Sequence, residues 1–143
     1  MRLHTWLVAL GLSLLLASTA ASKPPPTVSE RLYAIACSQL RVNCRGLPAP
    51  KVVHTDNPFI LLDDRNLGVY LHGGDTIYVN KKRHMVEWDQ IILHETVHYI
   101  HDQLRMGLTR CQSEEQARVI TARVFNKEVD PEWRVRYECP APV

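Results

Sequence analysis

No C-x-x-C pair occurs in the 143 residues, no segment repeats, and no block is of low complexity. The first absence argues against a cysteine-rich metal site, and the other two remove repeat architectures. Neither sign of charge dominates: 17 Lys and Arg stand against 15 Asp and Glu, a formal net charge of +2. The one tight basic cluster, NKKRH at 80–84, has no aromatic or groove-reading motif beside it. It reads as a solvated loop, and nucleic acid is not an expected partner. A hydrophobic run long enough to span a bilayer is missing too. Residues 6–16 are almost wholly apolar, but a spanning helix needs about 20, and no cysteine follows that would carry a lipid.

That apolar run still has a use. Arg2 and His4 give it a short polar start, and ASTAAS at 17–22 supplies small residues where a signal peptidase cuts. Residues 1–21 are expected to be a signal peptide, cleaved near Ala20 or Ala21, with no stable membrane anchor left; a retained N-terminal anchor is the alternative. A proline-rich leader at 22–27 then precedes one domain over 28–143, about 120 residues and enough for a small core. The protein is expected to be exported, to the periplasm or the medium. Cys37, Cys44, Cys111 and Cys139 all lie in the exported part, where an even count reads as two disulfides. Four cysteines allow three connectivities. Cys37–Cys44 with Cys111–Cys139 is the expected one, stapling the end of the first helix and tying down the tail. Cys37 and Cys44 cannot then both sit deep in one helix, because seven residues rise about 10 Å, beyond disulfide reach.

Local signals place the elements. Thr27 and Glu30 in TVSE form a capping box, and RLYAIACSQL continues it with helical spacing up to the loop CRGLPAP. KVVHT at 51–55 has the composition of a strand. GVYLHGGDTIYVN reads as a hairpin, Val69–His72 and Thr76–Asn80 around a Gly73-Gly74-Asp75 turn. A long periodic segment runs from about Glu87 to Met106 and stops at Gly107, and a last helix covers roughly Ser113 to Val129 before Asp130-Pro131. The tail EWRVRYECPAPV reads as irregular, with a short turn or strand. The expected class is α+β: an N-terminal helix, a small antiparallel sheet, then two helices.

The long helix carries ILHETVHYI at 92–100. A helix turns so that residues four apart share a face, and His94 and His98 therefore project together, one turn apart. Two imidazoles so placed reach one metal ion, while Glu95 points to their side and can hold a water without coordinating. Leu93, Val97, Ile100 and Leu104 form an apolar stripe beside that face, giving the helix a core side and a histidine side. His101 stands about 10 Å along the axis from His94, too far to share the ion; it is expected to be a partly exposed helix histidine, with a supporting or substrate-contact role as the alternative.

H-E-x-x-H in this uncharged, hydrophobic setting resembles the active-site helix of the zincin metallopeptidases. The metzincin continuation fails, since it needs Gly and His where this chain has His101 and Leu104. Glu114 with Ala117 resembles the E-x-x-A segment of the gluzincin branch. That resemblance, which covers mainly 76–129, implies Glu114 as third metal ligand, with the adjacent Glu115 as the alternative. Several gluzincins carry an Asp four residues after this Glu, orienting a metal-bound histidine; here the position is Arg118. Asp102 is the available substitute for that orienting carboxylate, a surface charge being the other reading. The resemblance also implies an open antiparallel edge strand before the active helix for pairing with an extended peptide, and DTIYVN at 75–80 is placed for it, unless it is an ordinary core strand.

Together these imply one zinc ion per chain on His94, His98 and Glu114, and a water activated by the metal with Glu95 as general base. A further donor for the oxyanion would come from Tyr137, His72, Tyr99 or His101. The function so implied is a small secreted metallopeptidase acting on a peptide, a protein or a peptidoglycan peptide. Two other classes compete: a non-catalytic domain of the same fold, and a disulfide-stapled secreted binding domain without metal. An intact Glu95 disfavours the first, because a purely structural site has no use for a general base.

Overall fold

The capping box read at Thr27 forms as expected: Glu30 N–H donates to Thr27 Oγ1 and Thr27 N–H to Glu30 Oε2, starting helix α1 over Val28–Leu40. A computed structural model describes residues 24–63, 66–83 and 85–141 of the chain, the side chains of Met85 and Val86 excepted. The expected signal peptide at 1–21 and the first two leader residues lie outside it. Arg41 takes the left-handed conformation and Val42 N–H closes on Cys37 O, ending α1. After it come β1 (Lys51–Thr55), a short helix α2 (Pro58–Leu61), β2 (Gly68–Tyr70), β3 (Thr76–Asn80), α3 (Met85–Gln103), α4 (Arg110–Val124) and a single-turn α5 (Trp133–Arg136). The class is α+β.

The sheet differs from the antiparallel one expected. Its order is β1-β3-β2, with β2 antiparallel to β3 but β1 parallel to it, Val53 opposite Tyr78. The hairpin strands are short, and the turn between them is closed by Gly74 N–H on Leu71 O with Gly73 at φ 79°. Because β3 is paired on both sides, it cannot be the open edge strand that the family resemblance implies. Its Ile77 and Val79 are fully buried, as a central strand requires.

The helices cover this sheet. Leu93, Val97 and Ile100 of α3 are fully buried and join Leu32, Ala36, Ile77, Val79 and Ile120 in one core. Leu104 does not complete that stripe. Arg105 turns left-handed, Met106 N–H bonds His101 O, and the helix stops short of Gly107, leaving Leu104 exposed. Helix α4 begins earlier than Ser113 because Thr109 and Gln112 make a second capping box. It ends before Val129 because Asn126 adopts φ 51° and Lys127 N–H closes on Ala122 O. No helix among the described residues is long and apolar enough to cross a membrane.

The two disulfides pair Cys37 with Cys44 and Cys111 with Cys139. The second closes 28 residues and fastens the tail that carries Tyr137 to the start of α4. Loop-closure entropy over that span amounts to about 3–4 kcal/mol, against about 2 for the seven-residue loop of the first. Urea unfolding of the Cys111→Ser/Cys139→Ser and Cys37→Ser/Cys44→Ser pairs is therefore expected to show the larger loss for the former; equal losses would contradict this ranking.

Candidate metal centre

Helical spacing on α3 sets the imidazoles of His94 and His98 side by side, with ring centroids 4.8 Å apart and the two Nε2 atoms 3.1 Å apart. The third member comes from α4, which packs against α3 and carries the fully buried Ala117. Glu114, three residues before that alanine, meets the histidines. Its Oε2 lies 3.6 Å from His94 Nε2 and its Oε1 3.4 Å from His98 Nε2. Among the described residues these three form the group able to hold a metal ion, their ligand atoms lying within 4.8 Å of one another. Glu115 points elsewhere, to an ion pair with Arg134.

The electrostatics fit a cation. Burial alone would raise the Glu114 carboxyl, but the His94 and His98 imidazoles facing it outweigh that and hold the group well below the ordinary carboxylate range. Burial likewise pushes His98 down, and the Glu114 and Glu95 carboxylates more than reverse it. Glu114 Oε2 is buried and accepts no hydrogen bond; Arg118 Nε stands 3.3 Å away as an ion pair without hydrogen-bond alignment. A buried carboxylate oxygen left this way is costly, and a divalent ion between it and the two imidazoles satisfies all three at once.

Glu95 is held beside this group. Tyr70 N–H of β2 donates to Glu95 Oε2 at 3.0 Å, which brings the strand hard against α3. Gly68 permits the approach, since a Cβ there would come within 2.3 Å of Ile91 Cγ2, a branched side chain with little freedom to move. His94 and Glu95 open on a cleft of about 630 Å³ that Gly68, Arg118 and Tyr137 also line. The Arg118 guanidinium lies 5.0 Å from the centre of the Tyr137 ring and 5.6 Å from that of Trp133. Of the four oxyanion candidates, then, Tyr137 reaches the cleft with Glu95.

The other three do not. Tyr99 is buried in the core and its hydroxyl donates to Pro48 O at 2.7 Å. His72 sits on the β2–β3 turn, 2.8 Å from Asp102, and lines a separate cavity of about 890 Å³. His101 is 7% exposed rather than partly exposed, with Nδ1 2.8 Å from Ser113 Oγ and Nε2 3.1 Å from Gln116 Oε1. Asp102 does not support a metal-site histidine. It accepts from Tyr70 OH, Gly73 N–H and His72, pinning the β2–β3 turn to the end of α3.

The residue that does touch His98 from behind is Ser113, whose Oγ is 2.8 Å from His98 Nδ1. Sequence reasoning passed over it, although it directly precedes Glu114 and so enters α4 on the same turn. Gly68, Tyr70 and Gln116 were missed as well. Their only sequence signal is position, a glycine in a strand and a glutamine one turn beyond Ser113. No protein-family model, curated protein or solved structure matches this chain.

Proposed function

We propose that the chain is an exported zinc metallopeptidase of the zincin type, hydrolysing amide bonds in peptides, proteins or peptidoglycan cross-links. One observation carries this reading: two imidazoles and a carboxylate converge, and one of them, His94, opens on the same cleft as a second carboxylate outside the group, Glu95. Zinc prefers nitrogen and oxygen donors of this kind, and catalytic zinc sites take three protein ligands rather than four. Bonds of about 2.0–2.1 Å at tetrahedral angles put ligand atoms about 3.4 Å apart. The separations here are 3.1, 3.4 and 3.6 Å. The two disulfides support an oxidising compartment.

When bound, a zinc ion acts as a Lewis acid that makes water nucleophilic near neutral pH and polarises a carbonyl. His94, His98 and Glu114 would hold it. Glu95 takes the proton of the attacking water on the oxygen that Tyr70 leaves free, and returns it to the departing amine. The C–N bond breaks, a C–O bond forms, and the products are an acid and an amine. Tyr137 and Arg118 are two donors among those lining the cleft that can stabilise the carbonyl oxygen as charge develops on it.

The test is hydrolysis by the oxidised, zinc-loaded protein of unstructured peptides and of cross-linked muropeptides. Cleavage that a chelator abolishes and zinc restores is expected; no cleavage of either substrate class would overturn the proposal. Zinc is also expected to stabilise the fold. At a free concentration a hundredfold above Kd it adds about 2.7 kcal/mol by mass action, read as a rise in Tm that disappears in Glu114→Ala. An unchanged Tm at saturating zinc would count against the site.

A further inference from the structure

We infer that Ser113, His101 and Gln116 form a one-way hydrogen-bond chain that fixes the tautomer of His98, turning its Nε2 lone pair towards the metal group. The inference rests on the metal-centre reading and deepens it. His98 has two ring nitrogens with different neighbours: Nε2 faces His94 and Glu114, and Nδ1 lies 2.8 Å from Ser113 Oγ. A hydroxyl both donates and accepts, so that contact alone leaves the tautomer open.

The next two links close it. Ser113 Oγ is also 2.8 Å from His101 Nδ1, and its single proton can go to one imidazole only. His101 Nε2 lies 3.1 Å from Gln116 Oε1, an oxygen that only accepts. His101 therefore carries its hydrogen on Nε2 and offers a lone pair at Nδ1. Ser113 donates to that lone pair and must accept from His98, which leaves His98 protonated on Nδ1 and unprotonated on Nε2. The carbonyl end of Gln116 thus sets the direction of every link.

The placement is a product of helix geometry. His98 and His101 on α3, and Ser113 and Gln116 on α4, are each three residues apart and interleave where the helices meet. The family resemblance implies an orienting Asp at position 118; here the contact on His98 Nδ1 comes from Ser113. These are positioning residues; none lies among the proposed ligands.

Two measurements test the chain separately from the site. Two-bond ¹H–¹⁵N correlation spectra of the metal-free protein at neutral pH are expected to show His101 as the Nε2–H tautomer; the Nδ1–H tautomer would overturn the inference. Zinc affinity, by competition with a chromophoric chelator, is expected to fall about 10- to 100-fold in Ser113→Ala, and to stay within a few-fold of wild type in Ser113→Thr and in Gln116→Glu, which keep a hydroxyl and an acceptor. Alanine is the better helix former, so a loss in Ser113→Ala does not come from a weakened α4. Wild-type affinity in Ser113→Ala would overturn the chain alone. A wild type that takes up no zinc would overturn the metal centre and the inference with it.

Discussion

Replacing Glu114 with alanine is expected to cost the chain its metal while leaving it folded. Structural zinc sites with four ligands bind with about 10–16 kcal/mol, so each ligand is worth roughly 3 kcal/mol, more than a hundredfold in affinity. Glu114 is the only carboxylate of the group, and without it two neutral imidazoles would face the ion beside the positive Arg118. The fold has little to lose, since alanine favours helix and the substitution removes a buried carboxylate with an unbonded oxygen. Glu115→Ala is the matched control. Its carboxylate pairs with Arg134 at the surface, a contact worth no more than about 1 kcal/mol, and zinc is expected to stay. Elemental analysis of both variants reads the outcome directly. Zinc kept in Glu114→Ala and lost in Glu115→Ala would reverse the ligand assignment.

The second large effect falls on chemistry and spares binding. Glu95→Gln keeps the shape of the side chain and an oxygen for Tyr70 N–H, so the group stays in place, but an amide cannot take a proton from water. Hydrolysis is expected to drop about 10²- to 10⁴-fold, with zinc content unchanged. The pair of readouts matters more than either alone. A variant that loses zinc and activity together would make Glu95 a supporting residue, and one that keeps both would remove it from the mechanism.

Much of the site could be read from residue spacing because helices impose it. His94 and His98 share a face by helix geometry alone, and Thr27 with Glu30 announces a helix start through a local contact. Glu114 against Glu115 needed the resemblance, because adjacent glutamates differ only in the direction a helix points them. Their partners tell them apart: Glu114 meets His94 and His98 of α3, whereas Glu115 pairs with Arg134.

What the sequence did not carry is mostly non-local. The parallel pairing of β1 with β3 joins Lys51 to Thr76, and alternation within KVVHT says nothing about its partner or its direction. Helix ends went wrong where a non-glycine residue, Arg105 or Asn126, took the left-handed turn that only glycine signals reliably. Tyr99, His72, His101 and Asp102 were candidates because of their chemistry. Where each is held depends on a neighbour distant in sequence, such as Pro48 for Tyr99 or Gln116 for His101. Ser113 escaped for the same reason, since its importance lies in two histidines on another helix.

The central claim is that His94, His98 and Glu114 bind one metal ion, and zinc content of the oxidised wild-type protein after reconstitution and exhaustive dialysis tests it most directly. One zinc per chain is the predicted result. A chain that emerges folded, with both disulfides formed and no zinc, would contradict it and leave H-E-x-x-H as three polar side chains on the face of a helix.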